Sequence, residues 1–267
     1  MIRRLLIAAC LLLTVRAATA EEPWDSLRPI GEATVVSTVD GDTVVIEPAL
    51  LGYEEVRLVG IQAPKLPLGR KNFPTWPLAP ESKDALAALV DGQRVTLFAG
   101  QSPVDRHGRH LAHLRRADGL WVQGEMLRRG WARVYSFPDN RLVVPDMLAL
   151  EREARTNGAG IWSHPNYAVR GPDDLGDLIG RFEIVEGKVV AAEVHKGTGY
   201  LNFGEDWRSD FTLVIRKRAL ALFKEAGIDI AAYAGQRIRA RGWLKERNGP
   251  MIEVTHPEQI ETLAPPS

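Results

Sequence analysis

The chain has 267 residues, with 34 basic against 34 acidic side chains, 45% apolar residues and 25% charged. That balance supports a packed core and excludes a disordered chain. Zero formal charge excludes a protein that grips polyanions through its overall charge, so any attraction for phosphate must come from local clusters. Cys10 is the single cysteine, which excludes a disulfide framework and a thiolate zinc site.

Met1-Ile2-Arg3-Arg4 is basic, Leu5 to Val15 is almost wholly apolar, and Ala18-Thr19-Ala20 places small residues two apart. This is the order of a secretory signal peptide over residues 1–20. Its apolar run is shorter than the roughly 20 residues needed to cross a bilayer, so the sequence predicts export to the periplasm or beyond, with no membrane span. Ile7-Ala8-Ala9-Cys10 offers a lipoprotein-type alternative, weakened by the apolar Leu11-Leu12-Leu13 behind it. Loss of Arg3, Arg4 and Arg16 leaves 31 basic against 34 acidic residues, a net charge of −3.

From Ala33 the pattern is β-rich. Thr34 to Val39 and Thr43 to Ile46 are β-branched runs joined by the turn Asp40-Gly41-Asp42, and Glu55 to Ile61 makes a third strand. The Pro- and Gly-rich stretch from Ala63 to Pro80 reads as a surface loop. Glu81 to Val90 is predicted helical, Val95 to Phe98 and His110 to Arg115 resume strands, and Val122 to Arg129 and Pro145 to Arg155 are amphipathic helices. Residues 165–180, rich in Pro, Gly and Asp, read as a polar linker between domains at 31–164 and 181–262, with few contacts expected across it. Beyond it, strands at Phe182 to Val194, Tyr200 to Phe203 and Phe211 to Ile215 precede a helix at Ala219 to Ala226. Two more strands follow, at Arg237 to Leu244 and Met251 to Thr255. That is the order of a five-stranded barrel of the oligonucleotide/oligosaccharide-binding (OB) type, with Asn248-Gly249 as the last hairpin turn. The predicted class is mainly β with α: two small barrels, the first capped by helices.

Four segments carry chemistry together: Val39-Asp40-Gly41-Asp42-Thr43, Val56 to Pro64, Asp105-Arg106-His107-Gly108-Arg109 and Asn157 to Ser163. In this order and spacing, residues 33–163 resemble the thermonuclease (staphylococcal-nuclease-like) family. The resemblance implies a helix-capped barrel in which calcium and two arginines grip a phosphodiester while water attacks phosphorus. Asp42 falls on a metal-binding aspartate, Arg57 and Arg109 on the phosphate-gripping arginines, and Arg106 and His107 on positions touching the nucleotide. Tyr135 and Phe137 fall near the base-stacking aromatics, with barrel packing as the other reading.

Two positions depart from the family pattern. Gln62 stands where a second metal carboxylate is expected, and Lys65 where a glutamate positions or deprotonates the attacking water. Asp42 against Arg57, Arg109 and Lys65 gives a local charge of +2, suited to an anion. A lysine about 5 Å from a divalent ion opposes it by roughly 6 kcal/mol at an effective dielectric near 20. The resemblance thus implies calcium, and the substitutions argue against a protein-held ion. His107, His110 and His113 offer metal-free acid/base chemistry as an alternative.

In the second domain Arg237, Arg239 and Arg241 alternate along a strand, which puts three guanidiniums on one face. Tyr200, Phe203, Trp207 and Trp243 interleave nearby, as do Arg216, Lys217 and Arg218. Basic groups among aromatics suit single-stranded nucleic acid, but 13 basic against 12 acidic residues from Arg181 onward also suit a solvated or protein-docking face. Three functions stay open: a calcium-dependent nuclease, a protein that binds DNA, RNA or another polyanion without efficient hydrolysis, and an envelope docking protein.

Overall fold

The computed structural model of the chain describes residues 26–105 and 108–264. The signal-peptide prediction and the two nucleotide-contact candidates Arg106 and His107 lie outside the described residues. No helix among the described residues is long and apolar enough to cross a membrane.

Strands β1 (Arg28–Asp40) and β2 (Thr43–Leu50) pair antiparallel, and β2 pairs in turn with β3 (Tyr53–Leu58). Strand β5 (Arg94–Ala99) returns to β1, and β6 (His110–Arg116) lies between β5 and β3, parallel to β3. The ring closes in the order β1-β2-β3-β6-β5. Period-2 alternation builds it: Val35, Val44, Ile46, Val56, Leu58, Leu97 and Leu114 turn inward and are fully buried. Each such side chain contributes about 1.5–3 kcal/mol by leaving water.

Between β3 and β5 come a two-residue strand, β4 (Ile61–Gln62), and helix α1 (Ala79–Val90). Pro80 in the first turn of α1 lacks an N–H that would be unpaired there, and Glu81 sits at the positive end of the helix dipole. Helices α2 (Val122–Arg128) and α3 (Val144–Thr156) follow β6, separated by β7 (Arg133–Val134), which pairs with β4. The apolar stripe of α3, Val144, Met147, Leu148 and Ala154, includes one carboxylate, Glu151, which is fully buried.

The second half contains β8 (Phe182–Lys188), β9 (Ala191–His195), β10 (Thr198–Asn202), β11 (Thr212–Ile215), helix α4 (Lys217–Glu225), β12 (Arg237–Glu246), β13 (Pro250–Val254) and β14 (Ile260–Thr262). Its pairings run β9-β10-β11-β13-β12-β8, all antiparallel except β11 with β13. With β14, which pairs with β12, these strands make one seven-stranded sheet, whereas the strands of the first half close into a ring. The buried apolar side chains form two clusters, one drawn from residues 27–148 and one from 175–260.

The polar-linker expectation is corrected. Residues 165–167 and 176–178 form 3₁₀ turns, Tyr167 is buried and donates its hydroxyl to the carbonyl of Pro77 at 2.6 Å, and Leu175 packs into the second core. Ion pairs and hydrogen bonds join the halves: Arg241 to Glu151, Arg141 to Glu258 at 2.9 Å, Trp243 Nε1 to the Tyr135 hydroxyl at 3.0 Å, and Ser136 Oγ with His256 Nε2 at 2.8 Å.

Candidate phosphodiester site

The site forms where β1 turns into β2. Gly41 is needed there for space: a Cβ would lie 2.1 Å from Ser82 Oγ on α1 and 2.6 Å from the Ala63 methyl. This close approach presses the turn under α1 and buries Asp42 completely. The Asp42 carboxylate accepts the Ala63 backbone N–H at 2.7 Å, which fastens the loop after β4 to the turn.

Lys65, carried on that loop, places its Nζ 2.6 Å from both oxygens of Asp42 and 3.3 Å from Asp40 Oδ2. The trace holds because the Trp76 N–H donates to the Lys65 carbonyl at 2.9 Å. Arg57, on β3 directly across from Thr43, is 3.1 Å from Asp42 Oδ2. Its guanidinium also donates to the carbonyls of Asp42 at 3.1 Å, Leu58 at 2.6 Å and Ile61 at 2.6 Å. Burial alone would raise the Asp42 carboxyl, but Arg57 and Lys65 outweigh it and hold the group well below the usual carboxylate range. Asp40 is pushed upward by burial and by the neighbouring Asp42 carboxylate, against the pull of Lys65.

The +2 local charge expected from the sequence is therefore corrected. Asp40 joins Asp42 against Arg57 and Lys65, so two carboxylates face two cations, and the donors of Arg57 are largely taken by backbone carbonyls. Arg109 enters β6 held by Asp105, with Nε and Nη2 at 2.9 and 2.7 Å from one carboxylate oxygen; its side chain stays 32% exposed. The cluster is internally neutralised rather than poised to seize an anion.

Gln62 is turned elsewhere. Its side-chain oxygen accepts from Arg133 Nε at 3.0 Å and Nη2 at 2.7 Å. Burial pushes the Arg133 guanidinium down to about 10, still cationic at neutral pH, and it lies 4.5 Å from the ring centre of Phe182 in the second half. Asp40 and Asp42 are then the carboxylates left to a divalent ion, with the Lys65 ammonium already between them. Such a site does not fit calcium, which needs several oxygens and draws most of its affinity from carboxylates. Among the described residues no cluster of three or more acidic, histidine or cysteine side chains is arranged to hold a metal.

Of the three candidate histidines, His110 and His113 lie among the described residues. Both are enclosed: burial lowers His110, whose ring stacks on Tyr53, and pushes His113 down to about 3. Tyr135 and Phe137 sit at the junction of the halves. Tyr135 contacts Phe137 and Phe182 edge-on and accepts from Trp243, while Phe137 remains 47% exposed. Barrel-junction packing thus accounts for Tyr135, and Phe137 keeps a free face.

The arginine row of β12 does not form a free basic face. Arg239 lies across from Glu186 and pairs with it at 2.6 Å, Arg237 reaches the same carboxylate at 2.8 Å, and Arg241 is buried against Glu151 and Glu261. A basic-aromatic feature missed in the sequence lies on the Lys65 loop, where the Arg70 guanidinium sits 3.6 Å over Phe73 and Phe73 stacks with Trp76 at 6.3 Å. The residue types were legible there; their convergence beside Lys65 was hidden in a Pro- and Gly-rich stretch without periodicity.

A closed five-stranded barrel carrying three helices, with an aspartate–arginine cluster at its first turn, defines the class of small nuclease-fold barrels. Residues 55–164 match the family model described as Staphylococcal nuclease homologue. A protein of Escherichia coli O157:H7 named Uncharacterized endonuclease is 34% identical over 140 residues, covering 52% of this chain and 82% of the relative. Protein ParB of Escherichia coli is 33% identical over 171 residues, 60% of this chain and 84% of the relative. Thermonuclease of Staphylococcus intermedius is 29% identical over 134 residues, 49% and 77% respectively. The chain belongs to the staphylococcal nuclease homologue family.

Proposed function

We propose that this chain is an exported member of the family that engages nucleic acid, DNA or RNA, and that the Lys65 ammonium stands in the place of the hydrolytic cation. It then binds phosphodiester strands with little calcium-dependent cleavage. The observation that carries the reading is the 2.6 Å approach of Lys65 Nζ to both Asp42 oxygens. Hydrolysis by metal-assisted attack needs a cation at the developing charge and a carboxylate near the water. Here a lysine replaces the carboxylate, and its own charge satisfies Asp42. Contact with the strand falls to exposed groups of the same half, the Arg109 and Arg70 guanidiniums and the free face of Phe137. Export is part of the proposal, and N-terminal sequencing of the purified protein should begin at Glu21 or within a residue or two of it.

The family kinship supports a second reading, an active calcium-dependent endonuclease, because relatives carry the names endonuclease and thermonuclease. Labelled single-stranded DNA and RNA incubated with the full chain, in calcium or in EDTA, separate the two. The first reading expects complexes in both conditions and no calcium-stimulated cleavage. Robust calcium-dependent cleavage by the unmodified protein would establish the second.

A further inference from the structure

The outer face of the second sheet carries a groove of about 410 Å³ whose lining comes from β9, β10, β11, β13 and two loops. Alternation sends Leu201, Leu213 and Ile252 into the core and leaves Tyr200, Val214 and Met251 on this opposite face. Register brings them together: Tyr200 lies across from Val214, and Thr212 lies across from Met251. The floor is therefore apolar and aromatic.

Two loops make the wall. The β10–β11 loop presents Trp207, 51% exposed, with the Arg208 guanidinium 4.6 Å from its ring. The β12–β13 hairpin turns at Asn248 and Gly249, both at positive φ, and packs directly on that loop. A Cβ on Gly249 would meet the Ser209 carbonyl oxygen at 2.2 Å, so glycine is what lets the two loops abut. Arg247 and Arg216 then stand exposed at the rim, Arg216 only loosely paired with Glu253 at 3.9 Å. Asn202, whose oxygen accepts from Thr212 at 3.1 Å, keeps its amide hydrogens for the groove.

We infer that this groove binds unpaired nucleotides of single-stranded nucleic acid. Trp207 and Tyr200 offer ring faces to a base, Asn202 and Asn248 offer groups for its edge, and Arg216, Arg247 and Arg208 meet the backbone phosphates. A duplex hides its base faces and cannot use this arrangement, whereas sequence-tolerant stacking plus cations is what single strands require. The inference rests on the reading that the chain engages nucleic acid, and it adds a second contact surface, apart from the Lys65 site and from the arginine row of β12.

The test is fluorescence anisotropy of the full chain with fluorescein-labelled oligothymidylate and with a duplex of equal length, in EDTA. Trp207→Ala and the double variant Arg216→Ala/Arg247→Ala should each weaken oligothymidylate binding about tenfold. Trp207→Phe should keep most of it. Groove variants that bind oligothymidylate like the unmodified protein would overturn the groove and leave the nucleic-acid reading standing. Duplex bound as tightly as single strand, with the same loss in the groove variants, would overturn its single-strand character. An unmodified chain that binds neither probe would overturn the groove and the broader reading together.

Discussion

Arg241 on β12 and Glu151 on α3 form a fully enclosed ion pair across the two halves, with Nη1 and Nη2 at 2.8 and 3.0 Å from the two carboxylate oxygens. Glu151 also accepts the Val134 N–H at 2.6 Å and Arg155 at 2.6 Å, and Arg241 reaches Glu261 at 2.6 Å. Burial would raise the Glu151 carboxyl, yet Arg241, Arg155 and the Val134 N–H lower it on balance.

Removing one member of this pair strands the other in a dry site. Arg241→Met should destabilise the chain by about 3–5 kcal/mol, because Glu151 keeps only part of its compensation. Arg241→Met/Glu151→Leu should recover much of that loss. Urea unfolding of the three proteins measures it, and a single variant as stable as the parent would show that the halves hold together without the pair.

Lys65→Glu places a third carboxylate beside Asp40 and Asp42. In EDTA its melting temperature should fall, because the carboxylates repel and Asp42 keeps Arg57 alone. Calcium should then raise the melting temperature of the variant and not of the parent; saturation to a hundred times Kd is worth about 2.7 kcal/mol. Differential scanning fluorimetry across a calcium titration reads both effects, and calcium-dependent cleavage should appear with the shift. A parent stabilised by calcium as strongly as the variant would remove the role assigned to Lys65.

Gln62→Asp alone should not create a calcium site. The new carboxylate stays within reach of Arg133, which already holds the Gln62 oxygen at 2.7 Å, so an ion pair forms there instead of a metal ligand. Calorimetric titration showing new calcium affinity in this single variant would contradict the geometry.

Burial sets the acid sensitivity. His113 is pushed down to about 3 and His256 to about 4, both below the ordinary 6.5 of an open chain. The unfolded chain therefore binds more protons once the pH drops beneath about 6.5, so the stabilisation is complete above that pH and is lost towards the folded values. Two such groups give a slope approaching about 2.7 kcal/mol per pH unit. Urea midpoints at intervals between pH 7 and 5 should fall accordingly, and His256→Gln should remove about half the slope. A flat profile in this window would mean that both rings take up protons in the folded protein as readily as in the open chain.

Local pattern was enough to find most strands and the helices, because each depends on period and on turns that the residues themselves dictate. The placement of Arg57 and Lys65 beside Asp42 followed the family resemblance instead. What escaped was long-range choice of partner. Arg237, Arg239 and Arg241 do alternate along β12, but β8 brings Glu186 opposite Arg239, and α3 brings Glu151 over Arg241. Sequence alternation fixes which residues share a face; the packing of the two halves decides whether that face meets water. Gln62 escaped in the same way, since its partner Arg133 lies on a two-residue strand too short to leave a periodic trace.

The family match ends at residue 164, yet Arg133 rests on Phe182 and Glu151 depends on Arg241. The boundary of recognisable ancestry is thus not a boundary of folding. A recombination event that replaced everything after residue 164 would leave a buried carboxylate facing a foreign surface and an aromatic bed missing beneath Arg133. Exchange of the second half is accordingly constrained to partners that supply a guanidinium and a ring at those two points, which ties the inheritance of one half to that of the other.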